Sequence, residues 1–106
     1  MTGSEEQLKQ RRVTFVQDAC HRLMTLSESL LALERDPVDQ PAREEALRAL
    51  HTLKGNAGLV GLETIAAAAH KMEDALADPQ HVPASLLLRG LDALSAMVVT
   101  VAESVG

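Results

Sequence analysis

The chain has 106 residues, a net charge of −5, 46% hydrophobic residues and one aromatic side chain, Phe15. This is enough for one small domain with one core of Leu, Ala, Val and Met, which suits helices better than a sandwich or barrel, and its acidity argues against nucleic acid as a partner. A lone cysteine, Cys20, excludes a disulfide framework or CxxC pair, and there is neither a signal-peptide pattern nor an apolar run near the ~18 residues of a membrane span, so a cytoplasmic domain without membrane contact is expected.

Residues 5–35 read as one long helix. Phe15, Ala19, Leu23, Leu26, Leu30 and Leu33 follow a 4-4-3-4-3 spacing, which is one face of a helix. Val16, Cys20 and Leu31 widen that stripe, and Cys20 on it reads as a small core residue. Asp36-Pro37 ends the helix, because the residue before a proline disfavours the helical region. A second helix, 41–60, opens at Pro41, which suits a first helical position, with Glu44 and Glu45 where the helix dipole favours acid. Ala46, Leu50, Leu53, Ala57 and Val60 form its stripe, and Gly61 is its C-terminal cap. A third helix, 62–77, carries Leu62, Ile65, Ala66, Ala69, Met72 and Leu76. The run Ala66 to Ala69 reads as a close helix contact. The fourth, 83–104, opens at Pro83 and repeats Leu87, Leu91, Leu94, Val98, Val101 and Val105.

Four amphipathic helices with short connections make an all-α, antiparallel up-down four-helix bundle the simplest solution, one domain over residues 1–106. On the second helix, at ~100° per residue, the apolar stripe lies roughly 180° to 260° from His51. His51 therefore faces water. Gly55 and Gly58 fall within roughly 40° of it, and Lys54 stands beside it at i+3. A glycine inside a helix costs roughly 1 kcal/mol against alanine, so two of them imply a need for room. On the third helix, Glu73 falls inside the apolar arc, where a carboxylate needs a donor. His51 lies ten residues before Gly61 and Glu73 twelve after it. Antiparallel neighbours turning at Gly61 bring the two to one height. A carboxylate that accepts from Nδ1–H fixes the imidazole tautomer and leaves the Nε2 lone pair as a nucleophile.

His51-Thr52-Leu53-Lys54-Gly55, followed by Ala57-Gly58 and Gly61-Leu62, resembles the histidine-phosphotransfer domain of CheA-type chemotaxis histidine kinases. His70-Lys71-Met72-Glu73-Asp74-Ala75-Leu76 resembles the H-x-M-E-x-x-L segment of the helix that follows. Phe15-Val16-Gln17-Asp18-Ala19 and Leu30-Leu31-Ala32-Leu33-Glu34 resemble the first helix of that family. The likeness covers residues 12 to 78. It implies that His51 accepts a phosphoryl group from a separate ATP-binding kinase domain and passes it to an aspartate of a CheY-like receiver that carries Mg²⁺. It implies that Glu73 holds Nδ1, that Lys54 assists the phosphoryl group, and that Gly55 and Gly58 give the receiver clearance. His70 matches a histidine of the family's network. Asn56 departs from the small Gly or Ser common at its position, which bears on partner contacts. His21 and His81 match no motif and read as surface residues.

The domain has no ATP site of its own, since neither GxxxxGK[ST] nor a kinase-type glycine loop is found, and it calls for no cofactor or metal. As an enzyme it would act only within a larger histidine kinase. A free-standing phosphorelay protein is the alternative within this reading. A metal-binding bundle lacks the Glu-x-x-His pairs and the HExxH that it needs. A helical adaptor without chemistry leaves Lys54 and the glycines beside His51 unexplained.

Overall fold

A computed structural model of the chain describes residues 3–78, 80 and 82–105. His81 lies outside them. The described residues form four helices: α1 Gly3–Arg35, α2 Gln40–Leu59, α3 Glu63–Ala77 and α4 Ala84–Val105. All four agree with the periodicity to within two residues, and the ends have local causes. Asp39 is the N-cap of α2, its Oδ1 accepting from the Ala42 amide at 3.0 Å, a contact typically worth ~1 kcal/mol. Gly61 takes φ 73°. That lets Leu62 N–H donate to Ala57 O at 2.9 Å and Gly61 N–H to Gly58 O at 3.2 Å, the paired bonds of a Schellman ending. Two arginines reach across to bare helix ends. Arg12 Nε donates to Val60 O at 3.2 Å, and Arg43 Nη1 to Leu76 O at 2.7 Å.

Each helix packs on two others. Helix α1 contacts α2 and α4, and α3 contacts the same two, while the diagonal pairs stay apart. The bundle is therefore square in section, with extents of 51 × 19 × 19 Å. Its long axis is that of α1, whose 33 residues span about 50 Å at 1.5 Å each. Leu26, Leu30, Leu50, Leu53, Leu76 and Leu94 are the large side chains fully buried at its centre. Residues 3–11 of α1 are all exposed.

Several expectations need correction. Cys20 is exposed and Leu31 is 41% exposed, so neither belongs to the core. The buried residues of α1 lie within roughly 60° of Phe15, whereas Cys20 and Leu31 are roughly 140° and 160° from it, past the flank that α4 covers. Val16 is half-buried. Of the alanine run only Ala69 is fully buried. A close contact is found instead at Gly90 of α4, where an added Cβ would come within 3.2 Å of Met72 Sδ. Finally, α4 is long and apolar enough by length and composition to cross a membrane, with a mean hydropathy of 1.6, which the sequence reading overlooked. Its Leu87, Leu91, Leu94 and Val98 are buried in the bundle, while Leu86 and Val99 are exposed, so packing on α1 and α3 accounts for only part of that apolarity.

Candidate functional site

The register of α2 decides what His51 can do. Leu50 and Leu53 are buried on one side of the helix (0% and 1% exposed), which turns His51 outward. The His51 side chain is 74% exposed. One turn and two turns on, Gly55 and Gly58 are exposed, and a Cβ added at either would meet no atom within 4 Å. The helix backbone is thus bare next to the imidazole, and no internal packing demands those glycines.

Across the α2–α3 seam stands Glu73, its side chain 17% exposed beside the buried Met72 and Leu76. Its two oxygens have different partners. Oε2 lies 3.4 Å from His51 Nδ1, an electrostatic contact rather longer than a good hydrogen bond. Oε1 is buried and lies 2.7 Å from Lys54 Nζ, which approaches outside the angles of a hydrogen bond. This is an ion pair with limited access to water, since Lys54 is 29% exposed. The arrangement has a chemical consequence. A carboxylate against Nδ1 favours the tautomer that carries its proton there, so Nε2 keeps its lone pair. Among the described residues no side chain engages Nε2.

The structure therefore joins His51, Lys54 and Glu73 and leaves Gly55 and Gly58 open beside them. It does not bring in His70. That side chain is 59% exposed, and its Nε2 lies 3.6 Å from Asp74 Oδ2 on the next turn of α3. A local carboxylate at i+4 engages it instead. His21 is exposed, as expected. No group of three or more His, Cys, Asp or Glu side chains among the described residues could hold a metal ion.

A second cluster flanks α2 on its α1 side. Asn56 Nδ2 donates to Asp18 Oδ2 at 3.0 Å, and Arg22 Nε donates to the same oxygen at 3.3 Å. Above this bridge a groove of about 600 Å³ opens between α1 and α2. Phe15 is its floor, and Leu59, 81% exposed, is on its rim. Sequence reasoning marked Asn56 only as an unusual residue and missed the bridge. Its partners are 38 positions apart, and no periodicity links residues at that distance.

The fold and site define a helical bundle that presents an exposed imidazole whose Nδ1 faces a carboxylate, itself paired with a lysine. The model of the Hpt domain family matches residues 10–104. The chain belongs to that family, the histidine-phosphotransfer domains. Among curated proteins it is 33% identical over 103 residues to the chemotaxis protein CheA of Treponema pallidum, a match covering 91% of this chain and 12% of that protein. It is 42% identical over 62 residues to the chemotaxis protein CheA of Halobacterium salinarum, covering 58% and 9%. A gliding motility regulatory protein of Myxococcus xanthus is 37% identical over 87 residues, covering 76% and 11%. The chain spans about a tenth of the length of these relatives. No solved structure gives a significant match.

Proposed function

We propose that this domain is the phosphoryl carrier of a chemotaxis-type two-component pathway, with His51 as the residue that holds the group. In this reading His51 Nε2 attacks the phosphorus of a phosphoryl group delivered by an ATP-dependent histidine kinase domain. The N–P bond forms as the bond to the donor's leaving oxygen breaks, and the electron pair goes to that oxygen. The imidazole proton stays on Nδ1, where the Glu73 carboxylate offsets the positive charge that the ring acquires. Lys54 keeps the other Glu73 oxygen neutralised, and one turn from His51 it adds a positive charge on the side of the new phosphoryl oxygens. In the return step a carboxylate oxygen of a CheY-like receiver attacks the phosphorus, the N–P bond breaks, and its electron pair returns to Nε2. The receiver holds its own Mg²⁺. This chain contributes position and charge, which are most of what phosphoryl transfer asks of a protein. The curated relatives named CheA favour the chemotaxis assignment, and a cytoplasmic site, with no nucleic acid or membrane as partner, follows from it.

The observation that carries the reading is the placement of Glu73, 3.4 Å from Nδ1 of a histidine whose side chain is 74% exposed. The test is labelling with radioactive ATP in the presence of a CheA-type kinase domain. Wild-type protein should take up label that is lost in acid and kept in base, as phosphohistidine behaves. His51→Gln should take up none while keeping the wild-type helix content. Label retained in His51→Gln would place the acceptor elsewhere.

A further inference from the structure

We infer that the outer face of α1 is a self-association surface, on which a second copy of this chain packs antiparallel about a two-fold axis near residue 22. Helix α1 carries a second apolar line besides the one it buries. Val13, Cys20, Met24 and Leu31 all lie within roughly 20° of a direction about 160° from Phe15, at 100° per residue. Cys20 is exposed, Met24 is 64% and Leu31 41% exposed, and Val13 is half-buried. Their spacing is 7-4-7, which keeps the 3.5-residue period of a helix–helix seam. It also reads the same in both directions. Turned end for end about residue 22, Val13 falls opposite Leu31 and Cys20 opposite Met24. A two-fold interface needs a patch that is complementary to itself in this way. The line is about 27 Å long at 1.5 Å per residue.

Two further observations select a second copy as the occupant. The first is charge. Glu6 and Lys9 lie beyond one end of the line, Glu34 and Arg35 beyond the other, and all four are exposed. Among the described residues no ion pair engages any of them. A two-fold axis sets each flank of α1 against the same flank of its partner. Lys9 and Glu34 share the α4 flank, roughly 120° and 100° from Phe15, so each Lys9 meets a Glu34 of the other copy. Glu6 and Arg35, at roughly 180° and 200°, pair in the same way. A parallel pairing would set Lys9 against Lys9 and Glu34 against Glu34. Complementary charge fixes direction and register more than it adds affinity. The second observation is on α4. Leu33 and Leu87 line one pocket where α1 and α4 meet. Twelve residues from each, along antiparallel helices, Val99 reaches the height of His21, beside the axis. Val99 is 55% exposed and points roughly 180° from Gly90, which faces Met72 of α3. It therefore widens the α1 line at its centre, where the axis brings two Val99 side chains together. The α2–α3 seam with His51 lies on the far side of the bundle and stays uncovered in both copies.

The experiment is sedimentation equilibrium of the intact chain from about 10 µM to about 1 mM, the range that a small interface calls for. The expected result is a reversible monomer–dimer equilibrium. Met24→Glu, at an exposed site that should not disturb the fold, should weaken the dimer at least tenfold with unchanged helix content by circular dichroism. Leu59→Ser, exposed on α2 and off this face, should leave it intact. Lys9→Glu should weaken it about two- to fivefold, the scale of exposed ion pairs, and adding Glu34→Lys should restore it. Cross-linking with copper phenanthroline as oxidant reads the direction. In the antiparallel register two Cys20 residues are offset by about 6 Å along axes that are about 8–10 Å apart, beyond the reach of a disulfide. Wild-type protein should therefore stay monomeric on a non-reducing gel, while Met24→Cys should link through Cys20 of the second copy. A monomer at all concentrations would overturn the proposal. So would a dimer that survives Met24→Glu, a dimer lost in Leu59→Ser, or efficient linkage of wild-type chains through Cys20, which would mean a parallel pair.

Discussion

Substituting Gly55 by leucine sets stability and function against each other. A Cβ at Gly55 has nothing within 4 Å, so the larger side chain meets no protein atom at its root. Glycine is about 0.8–1.0 kcal/mol worse than alanine inside a helix, and leucine is close to alanine. Gly55→Leu should therefore stabilise α2 by about 0.7 kcal/mol, which in a domain of this size raises Tm by about 3–5 °C. The same side chain should harm transfer. In a helix the Cα–Cβ bond tilts toward the N-terminus, so a leucine at 55 leans back over the turn that carries His51. It would occupy the space through which a receiver brings its carboxylate to Nε2. Misplacement of about 1 Å can cost 10²-fold in rate, and we expect transfer to fall at least tenfold, on the order of 1.4 kcal/mol in the barrier. Circular-dichroism melting and stopped-flow transfer on the same preparation read both quantities. Gly55→Ala, which adds a methyl group only, should gain the stability and keep most of the rate. Wild-type transfer by Gly55→Leu would show that the glycine does not serve approach, and a lowered Tm would show that the surface is not open.

Glu73→Ala should slow phosphorylation of His51 more than tenfold, because the tautomer is no longer held, while Lys54→Ala should cost about two- to fivefold through loss of the Glu73 partner, the range of a partly exposed ion pair worth up to about 1 kcal/mol. Initial rates with a kinase domain check this, and a Lys54→Ala loss larger than that of Glu73→Ala would contradict the assigned order. Leu50→Ala, at a site that is 0% exposed, should lower unfolding free energy by about 3 kcal/mol. A urea midpoint shift equivalent to less than about 1 kcal/mol would mean that the core around His51 is looser than described.

The helices were legible because each element repeats one signal. The stripes of Leu26, Leu30, Leu50, Leu53, Leu76 and Leu94 keep helical spacing and are all buried, and Asp39 and Gly61 carry the chemistry of helix ends. The height match of His51 and Glu73 followed from counting residues on either side of Gly61. What failed was width. Periodicity gives the direction of a face and not how far around the helix a neighbour reaches, so Cys20 and Leu31 were placed in a core that stops short of them. His70 was aligned by its motif, but its partner is the adjacent Asp74. The Asn56–Asp18 bridge depends on how α1 and α2 slide past one another, and that offset is fixed by packing along the whole seam rather than by any local run of residues.

The turn at Gly61 acts as a ruler. Only Val60, Gly61 and Leu62 separate α2 from α3, and the paired amide bonds to Ala57 and Gly58 leave no slack in it. One residue added between His51 and Glu73 would rotate one partner by about 100° and move it about 1.5 Å along the axis, carrying the carboxylate away from Nδ1. The chain can therefore change in composition there but not in length. Insertions are tolerable in the connection ahead of the Asp39 cap, which no contact of the histidine site crosses.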